Sequence, residues 1–143
     1  MGRGPGAIIP LVVLLAACAP RTPRIPFVSD VDAFLASHPL RPGEGIRADE
    51  IGRTPGASFH LVQVRDRERP HRHATHDLTV LVLRGRGTLT RDADQVGLAA
   101  GDMVTIPRGA LHWFANSARA PAVALVVFVP ALDAPDVVPA EAR

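Results

Sequence analysis

Residues 101–116 read Gly-Asp-Met-Val-Thr-Ile-Pro-Arg-Gly-Ala-Leu-His-Trp-Phe-Ala-Asn. Gly101-Asp102 is a tight turn, and Asp102 is read as a turn residue rather than a base. Residues 103–106 are apolar or β-branched and suit a strand. Pro107 ends that strand, because it has no N–H to give to a sheet ladder. Arg108-Gly109 turns again, and 111–115 continues as a second strand with His112 at its start. Two short strands bracketed by Gly and Pro within sixteen residues point to β-structure, not helix.

Working outward, the same texture continues on both sides. Downstream, 116–121 is a loop and 122–129 is a strong strand closed by Pro130. Upstream, 78–84 is an apolar run with Thr79, Val80 and Val82, and 85–87 is a Gly-Arg-Gly turn. Residues 88–91 return as a hairpin arm, 92–95 turn, and 96–98 form a short strand. Further upstream, 57–65 is a strand and 66–70 a polar loop. Arg65, Arg67, Arg69 and Arg72 alternate there with Asp66 and Glu68, as on a solvated surface. Seven or so short strands, with no helix-sized segment between them, predict an all-β sandwich or barrel. One helix is expected, at 29–38, with Ser29 as its N-cap and Asp32 three residues on. Val31, Phe34 and Leu35 share a face, Pro39 stops the helix, and His38 is a cation at its end. Residues 40–56 read mostly as loop, and 131–143 as an irregular tail or one laid along an edge.

Four of the six histidines stand out: His71, His73, His76 and His112. In an extended segment, residues two apart share a face, so His71 and His73 present two imidazoles together. Antiparallel pairing brings His112 to them. Asp77, four residues after His73, is the carboxylate that completes a three-nitrogen, one-oxygen shell. Such a shell suits Fe, Mn, Ni, Cu or Zn rather than Ca or Mg.

These residues resemble the cupin superfamily. Its second motif runs Gly, five residues, Pro-x-Gly, two residues, His, three residues, Asn. Gly101, Pro107, Gly109, His112 and Asn116 match it at every position. Its first motif runs His-x-His, three or four residues, Glu, six residues, Gly. His71, His73 and Gly85 match, with Asp77 near the Glu position. The resemblance covers 57–130 and implies a jelly-roll-like β-barrel or sandwich holding one divalent transition metal on His71, His73, the acid and His112. Counting back from Gly85, however, puts the Glu at Leu78. If Leu78, Val80 and Val82 face inward, Asp77 faces outward and His76 shares the inner face; a bulge turns Asp77 back in. Asp77 is the expected fourth ligand and His76 the alternative. His60 and Gln63 lie on opposite faces of 57–65, and Trp113 and Phe114 on opposite faces beside His112. All four are read first as packing.

The N-terminal residues carry an address. Arg3 precedes an apolar run, 7–17, too short to span a bilayer. It ends in Leu15-Ala16-Ala17-Cys18, which resembles the bacterial lipoprotein cleavage site, and Cys18 is the only cysteine. The resemblance implies cleavage before Cys18 and acylation there, with more than one acyl chain giving a stable anchor. Ala19 in place of Asp points to the outer membrane of a cell that has one. The expected division is leader 1–17, lipidated Cys and tether 18–28, helix and loop 29–56, cupin domain 57–130 and tail 131–143. All 16 basic residues are Arg and the net charge is +2, with no stretch basic enough for a nucleic-acid surface. A chain with 47% hydrophobic residues builds a core rather than staying disordered.

Fold does not fix function. Three readings stand: a metal-dependent small-molecule enzyme of dioxygenase, isomerase or lyase type; a non-catalytic receptor for a small ligand or metal; and an envelope scaffold. For the enzyme, His76 is the first candidate general base. The pocket is expected to be apolar, from Val80, Val82, Val104 and Ile106, and Tyr is absent. Both faces of 78–83 are apolar, so the outer one needs a cover. A second copy of the chain and the 29–38 helix compete for it.

Overall fold

The computed structural model describes Met1 and residues 28–140. The expected leader, Cys18 and all but Val28 of the tether fall outside them, apart from Met1. In chain order come α1 (Val31–Ser37), β1 (Ile46–Thr54), β2 (Ala57–Val64), β3 (His71–His73), β4 (Asp77–Arg84) and β5 (Arg86–Arg91). Then follow β6 (Asp94–Ala99), β7 (Met103–Ile106), β8 (His112–Asn116), β9 (Ala122–Val129) and β10 (Val137–Pro139). The strands form two five-stranded sheets, β1-β2-β9-β4-β7 and β10-β3-β8-β5-β6, antiparallel throughout. This is the all-β sandwich that the turn spacing predicts, in the jelly-roll form that the cupin resemblance implies. Among the described residues no helix is long and apolar enough to cross a membrane.

The core lies between the sheets. The first sheet supplies Val62, Val64, Leu78, Val82, Val126 and Phe128 from its inner face, and Leu89 and Leu98 answer from the second. Strand parity makes this possible: Val62 pairs with Ala124, and Ala124 with Val82, so one inward row crosses three strands. The β9 run Ala-Val-Ala-Leu-Val-Val-Phe-Val sits at the sheet's centre because both its faces are apolar.

Three expectations need correction. Residues 46–54 are a strand, not a loop. Its outward residues are charged, with Arg47 bonded to Asp49 at 2.7 Å, while Ile46 and Ala48 face the interior. A sheet edge tolerates such charge, and that hides its alternation. The turn at 92–95 is tighter than read, because Asp92 adopts φ 53° and lets β6 begin at Asp94. The N-cap is Asp30, not Ser29. Its Oδ1 accepts from Asp32 N at 2.8 Å and Ala33 N at 3.2 Å, and its charge faces the positive end of the helix.

The helix ends as expected at His38, whose ring stacks on Phe34 at 4.2 Å. Gln63 Nε2 donates to His38 O at 2.7 Å, and Arg84 pairs with Asp32, so α1 is held against the first sheet. The motif Asn is a staple: Asn116 Nδ2 donates to Arg65 O at 2.8 Å and Ala120 O at 2.9 Å, closing the loop after β8.

The tail lies along an edge. β10 pairs with β3, and Leu132 N donates to Ser58 Oγ at 3.0 Å. Arg53 meets Asp133 at 2.8 Å and Leu132 O at 3.0 Å. Residues 131–139 therefore run across one end of the barrel.

Candidate metal centre

β3 and β8 are paired at a single register position, His71 opposite His112. That pairing, with His73 two residues along the same face, brings three imidazoles together. One ring nitrogen from each of His71, His73 and His112 lies within 4.8 Å of the others. Gly109 makes the approach possible. It turns at φ 78°, where a side chain is strained, and its N–H donates to His73 O at 2.8 Å.

The hydrogen bonds decide which nitrogens converge. His71 Nδ1 faces Arg69 O at 2.8 Å, His112 Nδ1 faces Ala110 O at 3.0 Å, and His73 Nδ1 faces Asp136 Oδ1 at 2.6 Å. Carbonyls and carboxylates only accept, so each Nδ1 carries a proton, and a neutral ring so held has its lone pair on Nε2. Burial also lowers the pKa of His112 to about 4 and pushes that of His73 down, although Asp136 acts the other way on His73. His73 and His112 are therefore neutral at pH 7, as metal ligands must be. The contact of His73 with Asp136 is a neutral N–H on a carboxylate, not an ion pair. Three preorganised Nε2 atoms fit a transition metal.

Neither candidate for the fourth ligand joins them. Asp77 points away and is held by Arg108, through the backbone N at 2.8 Å and Nη2 at 2.7 Å. That pairing lowers its pKa to about 2. The reason is strand phase: Leu78 is the inward residue, 4% exposed, and its neighbour must face out. His76 is buried, but its Nδ1 lies 2.5 Å from Asp136 Oδ2 and its Nε2 3.4 Å from Ala131 O. It meets the tail and does not join the triad as a ligand.

Two carboxylates escaped the sequence reading. Asp136, in the tail, accepts from His73 and His76 together. Burial works against its charge, but those bonds and one from Thr75 N hold its pKa below the usual range. Glu68, read as part of a solvated loop, turns inward and lines the cavity. Its Oε2 accepts from Phe114 N at 2.8 Å, and burial raises its pKa. Its signal was the alternation itself: Arg67 faces out, 5.5 Å from the Trp113 ring, so Glu68 between Arg67 and Arg69 faces in. Trp113 and Phe114 lie on opposite faces as expected, and it is Phe114 that lines the interior. His60 packs edge-on against Phe128 and bonds Ser58 Oγ at 2.9 Å, outside the triad. Asp102 is a turn residue, its Oδ2 accepting from Ala99 N at 2.8 Å.

The triad sits in the wall of a cavity of about 280 Å³ between the sheets. Leu78, Val80, Val104, Ile106 and Val126 are typical of its lining, and its ionisable groups are the three histidines, Glu68 and Asp136. It is an apolar chamber with one polar patch, the histidine triad, able to hold a metal ion.

Comparison with known proteins agrees with this geometry. The profile of the cupin domain matches residues 58–128. An uncharacterised protein of Aquifex aeolicus (strain VF5) is 39% identical over 98 residues, covering 68% of this chain and 80% of the relative. Among solved structures, KdgF from Halomonas sp. superposes with a TM-score of 0.58 at 23% identity, covering 66% of this chain and 86% of that one. Pac13 of Streptomyces, a nucleoside dehydratase, gives 0.57 at 21% identity, with 68% and 79% covered. At these identities the structures speak to fold alone. With the histidines of both motifs brought together, although the first motif's acid is absent, the chain belongs to the cupin superfamily.

Proposed function

We propose that this chain is an exported, lipid-anchored cupin that holds one divalent transition metal on His71, His73 and His112. We further propose that it acts there on a small, largely apolar molecule as a metal-dependent enzyme of dioxygenase, isomerase or lyase type. The observation that carries this is the common state of the three imidazoles, each with Nδ1 engaged and Nε2 directed to one place beside the cavity. A metal bound there supplies Lewis acidity, or redox chemistry if it is Fe, Mn or Cu. The protein's own groups supply the rest. The apolar wall binds the body of the ligand, and Glu68, the carboxylate not tied to a histidine, is placed to exchange a proton.

Ligand chemistry follows from size and charge. A cavity of 150 Å³ takes a benzene, so about 280 Å³ admits a ligand of roughly twelve heavy atoms. Three neutral imidazoles leave the ion's charge uncompensated, which favours a ligand bearing an anionic oxygen such as a carboxylate or enolate. A nucleoside, the substrate class of Pac13, carries several hydroxyl and amide groups that this wall leaves without partners. The reading therefore borrows no substrate from that structure.

The second reading is a binding module without turnover. It is favoured by the loss of Asp77 and His76 from the site, which leaves few groups for acid–base work. A lipid on Cys18 and pairing of two copies through the outer face of the first sheet are compatible with either; Met103 there is 70% exposed.

The test is metal content by plasma mass spectrometry on the full chain in detergent, with His112→Ala alongside. About one Fe, Mn, Ni, Cu or Zn per chain, lost in the variant, supports the centre and names the chemistry to screen. No metal in either, after reconstitution with each ion, sinks it.

A further inference from the structure

We propose that Asp136 is a positioning residue: it fixes His73 in the tautomer that presents Nε2 to His71 and His112, and so makes the centre depend on docking of the tail. Its purpose rests on the metal reading above; its geometry does not.

The three imidazoles are not held alike. His71 and His112 bond carbonyls two residues earlier in the chain, at Arg69 and Ala110. Those partners stay in place whatever happens elsewhere. His73 instead bonds a carboxylate 63 residues away. Without it, a neutral imidazole is free to carry its proton on either nitrogen, and a proton on Nε2 blocks a metal. A carboxylate in this outer position also orients the ring and strengthens it as a ligand.

Asp136 is itself over-determined. Oδ1 takes His73 Nδ1 at 2.6 Å; Oδ2 takes His76 Nδ1 at 2.5 Å, Thr75 N at 3.3 Å and Thr75 Oγ1 at 3.3 Å. Its backbone O accepts from Ala74 N at 3.2 Å, next to the β10–β3 pairing. The side chain is 9% exposed. His76, with no place among the ligands, thereby has one: it holds the far oxygen so that the near one meets His73. Leu132, Pro135 and Val137 of the same segment line the cavity, so the residues that close the chamber also carry the group that sets the ligand.

The experiment uses the full chain in detergent as wild type, the isosteric Asp136→Asn, and Asp133→Asn. Asp133 is on the same segment but touches Arg53, not a histidine. Long-range proton–nitrogen NMR of the metal-free protein reads the His73 tautomer, and competition titration reads cobalt(II) affinity with its visible spectrum. An amide cannot accept from both His73 and His76 with both its ends, so Asp136→Asn should give mixed His73 tautomers. Its cobalt(II) affinity should fall by about 10–100-fold, while Asp133→Asn behaves as wild type. A wild-type His73 protonated on Nε2 overturns the proposal, whether or not the variant folds. So does an Asp136→Asn protein with unchanged tautomer and affinity, or an equal loss in Asp133→Asn, which reduces Asp136 to a fastening of the tail. If wild type binds no metal yet Asp136→Asn changes the His73 tautomer, the positioning of His73 stands and the metal reading falls.

Discussion

The neutral state of His112 has a thermodynamic consequence that is measurable without any metal. The residue is 3% exposed, and burial lowers its pKa from 6.5 to about 4. In the unfolded chain the imidazole takes up a proton near pH 6.5; in the folded chain it does not until about pH 4. The unfolded state therefore binds more protons throughout that window, and stability falls as the pH falls through it. The loss begins below about 6.5 and is complete below about 4. At about 1.36 kcal/mol for each pH unit it amounts to about 3 kcal/mol, a large part of a small domain's stability. His73 and His60, also lowered by burial, act in the same direction, while Glu68, raised by burial, acts in the opposite one. The carboxylates of Asp77 and Asp136 enter only below about 3.8. The clean readout is a difference: urea unfolding of chelator-stripped wild type and His112→Gln between pH 7.5 and 4.5. Wild type should lose about 2–3 kcal/mol more than the variant over that range. Parallel profiles would refute the reasoning, because they would mean that His112 titrates alike folded and unfolded.

Asp77→Asn should leave metal stoichiometry and affinity unchanged, since Asp77 is spent on Arg108; loss of metal measured by mass spectrometry would return it to the ligand set. Gly87→Ala should destabilise by about 1–3 kcal/mol or more, read from thermal melts. Its Cβ would overlap Ala115 O and the Phe114 ring on β8, the strand that carries His112. A melt unchanged from wild type would show that β8 yields there. Leu78→Glu should lower the melting temperature of the metal-free protein by burying a carboxylate, and enlarge the stabilisation by zinc. An unchanged zinc response would place Leu78 out of reach of the centre.

Much of the fold was legible because its turns are chemically loud. Gly85, Gly101 and Gly109 all adopt positive φ, between 78° and 98°, where glycine is the residue without strain. Pro107 and Pro130 follow directly on the last residues of β7 and β9. What stayed hidden were elements whose sequence obeys a different constraint. β1 is an edge strand whose outward side chains are charged to discourage further pairing, so Ile-Arg-Ala-Asp-Glu reads as loop. β10 is three exposed residues whose strand character comes only from pairing with β3. No local propensity announces an element that another strand makes.

The site divides in the same way. His71, His73 and His112 were legible because their spacing is a property of strands: two along one face, the third across a ladder. The fourth position could not be settled by counting residues, because it turns on parity. One register step separates Asp77 from Leu78, and a single step moves a side chain from the cavity to the surface. Here the ladder decides. Leu78 is opposite both Ile106 and Phe128, inward residues on the strands to either side, so Asp77 must face out to Arg108. Asp136 was beyond reach for another reason. It lies 60 residues or more from the histidines it serves, in a tail with no motif, and only the docking of 131–139 across the barrel brings it in. An acid at position 78 would have belonged to the strand that builds the cavity. Asp136 belongs to the segment that closes it, and so ties His73 to the docking of the tail.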